Sequence, residues 1–270
     1  MEMKPSGNHW HNRTAWDRLA KKQDRLATPA RDEDFNDPLA SVDGMGWLGG
    51  DVRGKRLLCL AAGGGRQGPI YAAAGAEVTV VDLSPAMLEL DREVARQRQL
   101  KVRTIEASMD DLSAIGDGSF DIVIHPVSTC YVPDVRPVYL EVARVLVAGG
   151  IYVSQHKQPT SLQADIEPHQ GSYRVKHGYY QKTALPSESK PNLIREDGTL
   201  EYVHRWEELL GAMCLAGFSI EALSEPMHSK RDAIPGSFAH RSTMIAPYVR
   251  IKARRNVGTR DAKSKPLIIG

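Results

Sequence analysis

The chain has 270 residues, an apolar fraction of 41%, and 35 Lys and Arg against 33 Asp and Glu, a formal net charge of +2. That length allows one large domain with a sizeable core, and the near balance of charge singles out no polyanionic partner, so nucleic acid is not indicated. The three scattered cysteines, Cys59, Cys130 and Cys214, form neither a disulfide framework nor a zinc motif, no stretch reaches the roughly 20 apolar residues of a membrane span, and the start MEMKPSGNHWHNR lacks the apolar core of a signal peptide, so a cytoplasmic, reducing setting is expected.

Residues 12–28 space Ala15, Trp16, Leu19, Ala20 and Leu26 among charges as an amphipathic helix lying on the main body would. Residues 29–55 are rich in Pro, Asp and Gly and read as an irregular lead-in anchored by Trp47 and Leu48. A regular alternation then begins: strand 56–61, helix 66–74, strand 77–82, helix 84–98 opened by Ser84 and Pro85, and strand 101–106. The turn Gly116-Asp117-Gly118 introduces the strand SFDIVIHPV, a helix follows over 134–147, and the strand GIYVSQH comes next. Strands and helices alternating at this spacing predict a parallel sheet covered on both faces. Residues 158–200 break the rhythm with prolines at 159, 168, 186 and 191 and read as an insertion; a helix over 204–217, a short alternating run and a last strand within STMIAPYVRIKAR complete the pattern, and the basic end reads as a tail.

The chemistry concentrates in LLCLAAGGGRQGPIYAAAGAEVTVVDL, residues 57–83. An apolar strand ends in Gly63, Gly64 and Gly65, a small-residue helix follows, and a second strand stops at Asp82. Glycines let backbone turn sharply against a ligand, and an acid at the end of the next strand can accept hydrogen bonds from ribose hydroxyls, so this is a nucleotide-binding half-unit. Gly63, Gly65 and Gly68 match the dinucleotide fingerprint literally, which keeps an NAD-linked oxidoreductase in view, although Asp82 follows the last glycine more closely than that fingerprint expects.

Taken in order, LLCLAAGGGRQG, VTVVDLSPAML, IEASMDDLSAIGDGSFDIVIHPVS, EVARVLVAGGIYV and RWEELLGAMCLAGF resemble class I S-adenosylmethionine (SAM)-dependent methyltransferases, in the small-molecule group of ubiquinone/menaquinone C-methyltransferase-like, type 11 enzymes. The resemblance implies a Rossmann-like, doubly wound, seven-stranded, mostly parallel α/β sheet with its last strand antiparallel. It implies SAM as methyl donor, S-adenosylhomocysteine (SAH) as product and no metal. Ala61, Gly63 and Gly65 would carry the methionine part, Asp82 the ribose, Leu83 one adenine face, Met109 and Asp110 the adenine edge, and His125 the region of the amine and sulfonium. Two departures stand out, Cys59 where the family has an acid and Ala61 where it has glycine; Gln67, or Trp16 of the N-terminal helix, is the candidate substitute for holding the ligand amine. The implied organisation is an N-terminal helix and lead-in over the site (1–55), a SAM-binding core (56–157), a cap near the acceptor (158–203), a C-terminal helix and strands completing the sheet (204–254), and a flexible basic tail (255–270).

Methyl transfer demands alignment and, for some acceptors, removal of a proton. His125 and His156, each at a strand end, are the candidate bases, with a purely structural imidazole as the competing reading of each, and Tyr131 is a further candidate. Polar residues after the fourth and fifth strands suit a polar or ring-bearing small acceptor, with the acceptor atom, oxygen, nitrogen or carbon, left open. Besides the oxidoreductase, an RNA or protein methyltransferase and a non-catalytic SAM-binding module stay open, as does the oligomeric state, a homodimer included.

Overall fold

The computed structural model describes residues 7–187 and 194–258. Its centre is a seven-stranded sheet of order β3-β2-β1-β4-β5-β7-β6, formed by β1 (Arg56–Leu60), β2 (Glu77–Asp82), β3 (Val102–Glu106), β4 (Phe120–His125), β5 (Leu146–Lys157), β6 (Phe218–Ser224) and β7 (Tyr248–Arg255). The strands β1 to β5 pair in parallel, and β7 runs antiparallel to both β5 and β6. The alternation predicted the parallel sheet, and the family resemblance implied this Rossmann-like, doubly wound arrangement with its last strand antiparallel. The order reverses between β1 and β4, and a crevice therefore opens beyond their carboxyl ends.

The strand sequences show why the sheet is buried on both faces. In β1, Leu58 and Leu60 enter one core with Val123, Tyr139 and Tyr152, while Leu57 and Cys59 enter the other with Tyr71, Val80, Leu88 and Ile124. Alternate residues of a strand face opposite ways, so a continuous apolar run serves two layers. The helices α3 (Gln67–Ala73), α4 (Pro85–Gln97) and α5 (Arg136–Val145) supply those layers. Ser84 caps α4 by accepting from the Met87 amide at 3.1 Å, and Pro85 stands in its first turn.

Several boundaries differ from expectation. The N-terminal helix α1 spans Gly7–Lys21 and ends before Gln23, whose φ of 52° leaves helical space, so Leu26 falls in a separate 3-10 turn, Arg25–Ala27. In the lead-in, α2 (Pro38–Val42) is a short helix capped by Asp37. The strand β5 begins at Leu146, before the Gly149-Gly150 step, where its pairing with β4 shifts register. The expected 204–217 helix is a π-turn over Glu207–Gly211 followed by α7 (Ala212–Leu215). The insertion carries α6 (Pro159–Gln163), α8 (Phe238–Arg241) precedes the last strand, and β7 falls in the stretch expected for it, running one residue past its end to Arg255. Of the basic tail, residues 259–270 lie outside the described residues, as does Pro191 of the insertion. Among the described residues no helix is long and apolar enough to cross a membrane.

Candidate active site

A cleft of about 750 Å³ opens at the carboxyl ends of β1, β2, β4 and β5. Ala61, Gly63, Gln67, Asp82, Leu83, Met109, His125 and Tyr131, all singled out in the sequence, line it together. Its roof comes from α1, through His9, Asn12 and Trp16, and from the lead-in between Ala40 and Trp47.

Three expected residues do not line this cleft. Gly65 (φ 72°) turns toward α4, where an added Cβ would meet the Leu90 carbonyl oxygen at 2.8 Å, so this glycine serves helix packing. The Asp110 carboxylate accepts from His9 Nε2 at 3.1 Å and Ser108 Oγ at 2.5 Å and borders a separate surface hollow with Asp111 and Glu141. His156 is 1% exposed and lies behind the wall.

The floor is the turn after β1. Ala61 adopts the left-handed region at φ 47°, which a side chain tolerates poorly, and Gly64 follows at φ 125°. Gly63 presents bare backbone; a Cβ there would lie 2.8 Å from Met87 Cβ and 3.0 Å from Asp82 Cγ. Asp82 fixes the turn, accepting the Gly63 amide on Oδ2 and the Ser84 amide on Oδ1, each at 2.9 Å. Burial pushes its carboxyl up to about 6, against the pull of amides from Ser84, Gly63 and Leu83. At that value the carboxyl is mostly ionised at neutral pH.

Cys59 is fully buried under this turn, and burial drives its thiol well up, so it is packing and not a nucleophile. A carboxylate nonetheless stands there: Asp91 of α4, fully buried, accepts the Gly64 amide on Oδ2 at 2.9 Å and takes a further bond from the Gly65 amide. Its Oδ1 has no hydrogen-bond partner, and burial pushes its carboxyl up to about 7. Sequence reading missed Asp91, although the signal existed: the buried positions of α4 are 87, 88, 91, 94 and 95, an apolar helical stripe with one acid in it.

The wall is a chain of buried hydrogen bonds. Ser128 donates its only O–H to the Pro126 carbonyl at 3.1 Å, so its oxygen accepts from His125 Nε2–H at 2.6 Å, and His125 Nδ1 accepts from the Tyr152 hydroxyl at 2.7 Å. Ser154 donates to Tyr152 and accepts from His156 Nε2–H at 2.8 Å, leaving His156 Nδ1 to accept from Thr129 at 2.8 Å. Both imidazoles have both nitrogens engaged, and burial pushes each down to about 3, so both are neutral through the ordinary pH range.

The roof is bolted on by Asn12, a residue absent from the sequence-based candidates. Its amide nitrogen donates to the Tyr131 carbonyl at 3.0 Å and the Leu200 carbonyl at 3.2 Å, and its oxygen accepts the Leu200 amide at 2.7 Å. Trp16 packs edge-on against Tyr131 at 5.8 Å between ring centroids, and Asp17 reaches Ser84 Oγ at 2.6 Å.

A glycine turn after β1, an acid ending β2 and a roofed cleft at the switch point define a nucleotide-binding α/β protein. Comparison with known proteins narrows this. A family model described as "Methyltransferase domain" matches residues 58–154. The chain is 41% identical over 177 residues to the uncharacterized methyltransferase YbaJ of Bacillus subtilis (strain 168), covering 64% of this chain and 69% of that protein. It is 34% identical over 100 residues to the ubiquinone biosynthesis O-methyltransferase of Xanthomonas oryzae pv. oryzae (strain PXO99A), covering 37% of this chain and 42% of that one. Among solved structures, geranyl diphosphate C-methyltransferase from Streptomyces coelicolor A3(2), crystallised with Mg2+, geranyl diphosphate and SAH, shares the fold with a TM-score of 0.60 at 17% identity, over 94% of this chain and 100% of that chain. A SAM-dependent methyltransferase from Mesorhizobium loti shares it with a TM-score of 0.56 at 21% identity, over 76% and 93%. The chain belongs to the class I SAM-dependent methyltransferases.

The residues present fit SAM. Gln67 Oε1 is buried in the cleft wall region with no hydrogen-bond partner, an acceptor left open for a donor such as the ligand amine, and the turn offers backbone that no side chain covers. Among the described residues no cluster of three or more His, Cys, Asp or Glu is placed to hold a metal.

Proposed function

We propose that this methyltransferase acts on a small, polar or ring-bearing acceptor, and that Ala61, Gly63, Gln67, Asp82, Leu83 and Met109 hold SAM while Tyr131 faces the acceptor. The observation that carries the reading is the roof. The cleft has room for a nucleoside-sized ligand plus a small partner, and α1 roofs it with Asn12 and Trp16, tied down by the Asn12 bonds to Tyr131 and Leu200, which favours a small acceptor over a folded protein or an RNA strand. The names of two relatives, a ubiquinone biosynthesis O-methyltransferase and a 24-methylenesterol C-methyltransferase, point to small acceptors as well.

Bound SAM supplies an electrophilic methyl group on a sulfonium. The chain's own part is positional: Asp82 accepts from hydroxyls, Gln67 offers an acceptor to an amine, and the bare turn lets backbone approach. His125 takes a structural part here, holding Tyr152 and Ser128 in place, because neither ring nitrogen is available to a ligand. His156 supports it from behind. Asp110 acts through His9, tying the first turn of α1 down beside the adenine end.

The test is a thermal-shift series with SAM, SAH and NAD on the wild type and on Asp82→Asn. A rise in melting temperature with SAM and SAH that Asp82→Asn removes is expected. A response to NAD with none to SAM or SAH sinks the reading.

A further inference from the structure

We infer that the methyl acceptor carries a carboxylate, and that Arg250, assisted by the side-chain amide of Gln155, binds this group and so selects the substrate. The inference rests on the small-acceptor reading above and gives that acceptor a charge.

The sheet places the arginine. In β7, Val249, Ile251 and Ala253 are buried in the core that holds Tyr152, so strand alternation puts Tyr248, Arg250, Lys252 and Arg254 on the opposite face. Three of these four are cations in a row. A register shift in β6 between Ile220 and Ala222 sets Glu221 against the end of the row far from the cleft, where it pairs with Lys252 at 3.4 Å and with Arg254. Across from Arg250 stand Ser224 of β6 and Gln155 of β5. The row therefore ends at the cleft in a cation with no acid opposite it on either neighbouring strand.

Arg250 also stands apart among the arginines that line the cleft, Arg25, Arg66 and Arg250. Arg66 is paired with Asp34 at 3.1 Å, and Arg25 is exposed to water. Arg250 is half-buried, and among the described residues no carboxylate pairs with it. Its Nε donates to Gln155 Oε1 at 2.7 Å. That bond orients the guanidinium through Nε and leaves the Nη1 and Nη2 fork without a protein partner. It also commits Gln155 Oε1 as an acceptor, so the other end of that amide can only donate. Tyr248, next along the same face, adds a phenol to this wall of the cleft.

The wall is thus a set of donors around one positive charge. A fork of parallel N–H groups matches a planar carboxylate bidentately, and a single cation balances its single charge, whereas a phosphate monoester carries about two. Glu196 lines the same cleft but does not repel such a group. It lies 2.5 Å from Lys157 Nζ, and Lys157 and Arg195 together balance Glu196 and Glu201. The sign of the wall is therefore set by Arg250. The carboxylate of SAM itself is a poor match for this position, since β7 lies three strand steps from β1 and its glycine turn, about 14 Å at the usual strand spacing. Anchoring one end of the acceptor here leaves its other end to be aligned with the methyl group.

The test uses the full chain loaded with SAH and measures melting temperature and calorimetric binding with benzoate, phenyl phosphate and benzamide at millimolar concentration. Benzoate should raise the melting temperature of the SAH-loaded wild type, and benzamide should not. Arg250→Gln should weaken benzoate binding at least about tenfold while SAH affinity stays within about threefold. Arg250→Lys keeps the charge but loses the fork, so its benzoate affinity should fall between the two, and it serves as the second variant if Arg250→Gln folds poorly. Benzoate binding to Arg250→Gln within about threefold of wild type, an equal response to benzamide, or a response to phenyl phosphate alone overturns the inference. So does a loss that tracks SAH affinity, which would assign Arg250 to the methyl donor. A wild type that responds to SAH but not to added benzoate overturns it and leaves the methyltransferase reading intact. No response to SAH at all defeats both.

Discussion

Asp91 gives the most quantitative prediction. It is an acid with no exposure, one unpartnered oxygen and a carboxyl pushed up to about 7 from its usual 3.8, mainly by burial and secondarily by the nearby Asp82 charge, against the pull of the Gly65 and Gly64 amides. A group whose folded pKa lies above its unfolded one binds more protons in the folded state between the two values, so stability falls as pH rises through that window. Integrating the linkage relation for 3.8 unfolded and about 7 folded, Asp91 lowers stability by about 2.5 kcal/mol more at pH 8 than at pH 5. Asp91→Asn keeps an acceptor for the Gly64 amide and cannot ionise. Urea unfolding of both proteins at the two pH values isolates this residue together with its coupling to Asp82, because titrations that do not couple to it cancel in the difference. The variant should gain about 2–3 kcal/mol relative to wild type on going from pH 5 to pH 8. A difference constant with pH to within about 0.5 kcal/mol would refute the claim that burial raises the Asp91 carboxyl beneath the turn.

Two further substitutions probe the turn and the roof. Gly63→Ala brings a Cβ to 2.8 Å from Met87 Cβ and 3.0 Å from Asp82 Cγ, so calorimetry should show SAH affinity weakened at least about tenfold; unchanged affinity would remove this glycine from the site. Asn12→Ala strips partners from the Leu200 amide and from the Tyr131 and Leu200 carbonyls, and it should cost about 2–3 kcal/mol in denaturant unfolding while increasing protease cleavage near α1; neither change would mean that the roof is held elsewhere.

The parts of the molecule legible in the sequence are those governed by local rules. The strand-to-turn run ending at Gly65, the capped start at Ser84 and the two-faced apolar strands each follow from backbone and burial chemistry within a short window, and they specify the sheet and the positions of Gly63, Asp82 and Leu83. What escaped notice depends on contacts between distant segments. Asn12 meets Leu200 across 188 residues, and Lys157 meets Glu196 across 39, with no periodicity to announce either. Asp110 shows the same limit from the other side: its place after the third strand suggested a ligand contact, yet its oxygens are taken by His9, 101 residues earlier, and by Ser108. Asp91 is the exception, since an acid inside the buried stripe of α4 was visible from spacing alone.

The bonded wall from Ser128 through His125, Tyr152 and Ser154 to His156 has a consequence for charge. A sulfonium is a cation, and two imidazoles at one strand edge would ordinarily gather protons in mild acid and repel it. Here every ring nitrogen is occupied and deep burial holds both rings neutral, so a sulfonium docked at this edge would meet oriented dipoles and no like charge.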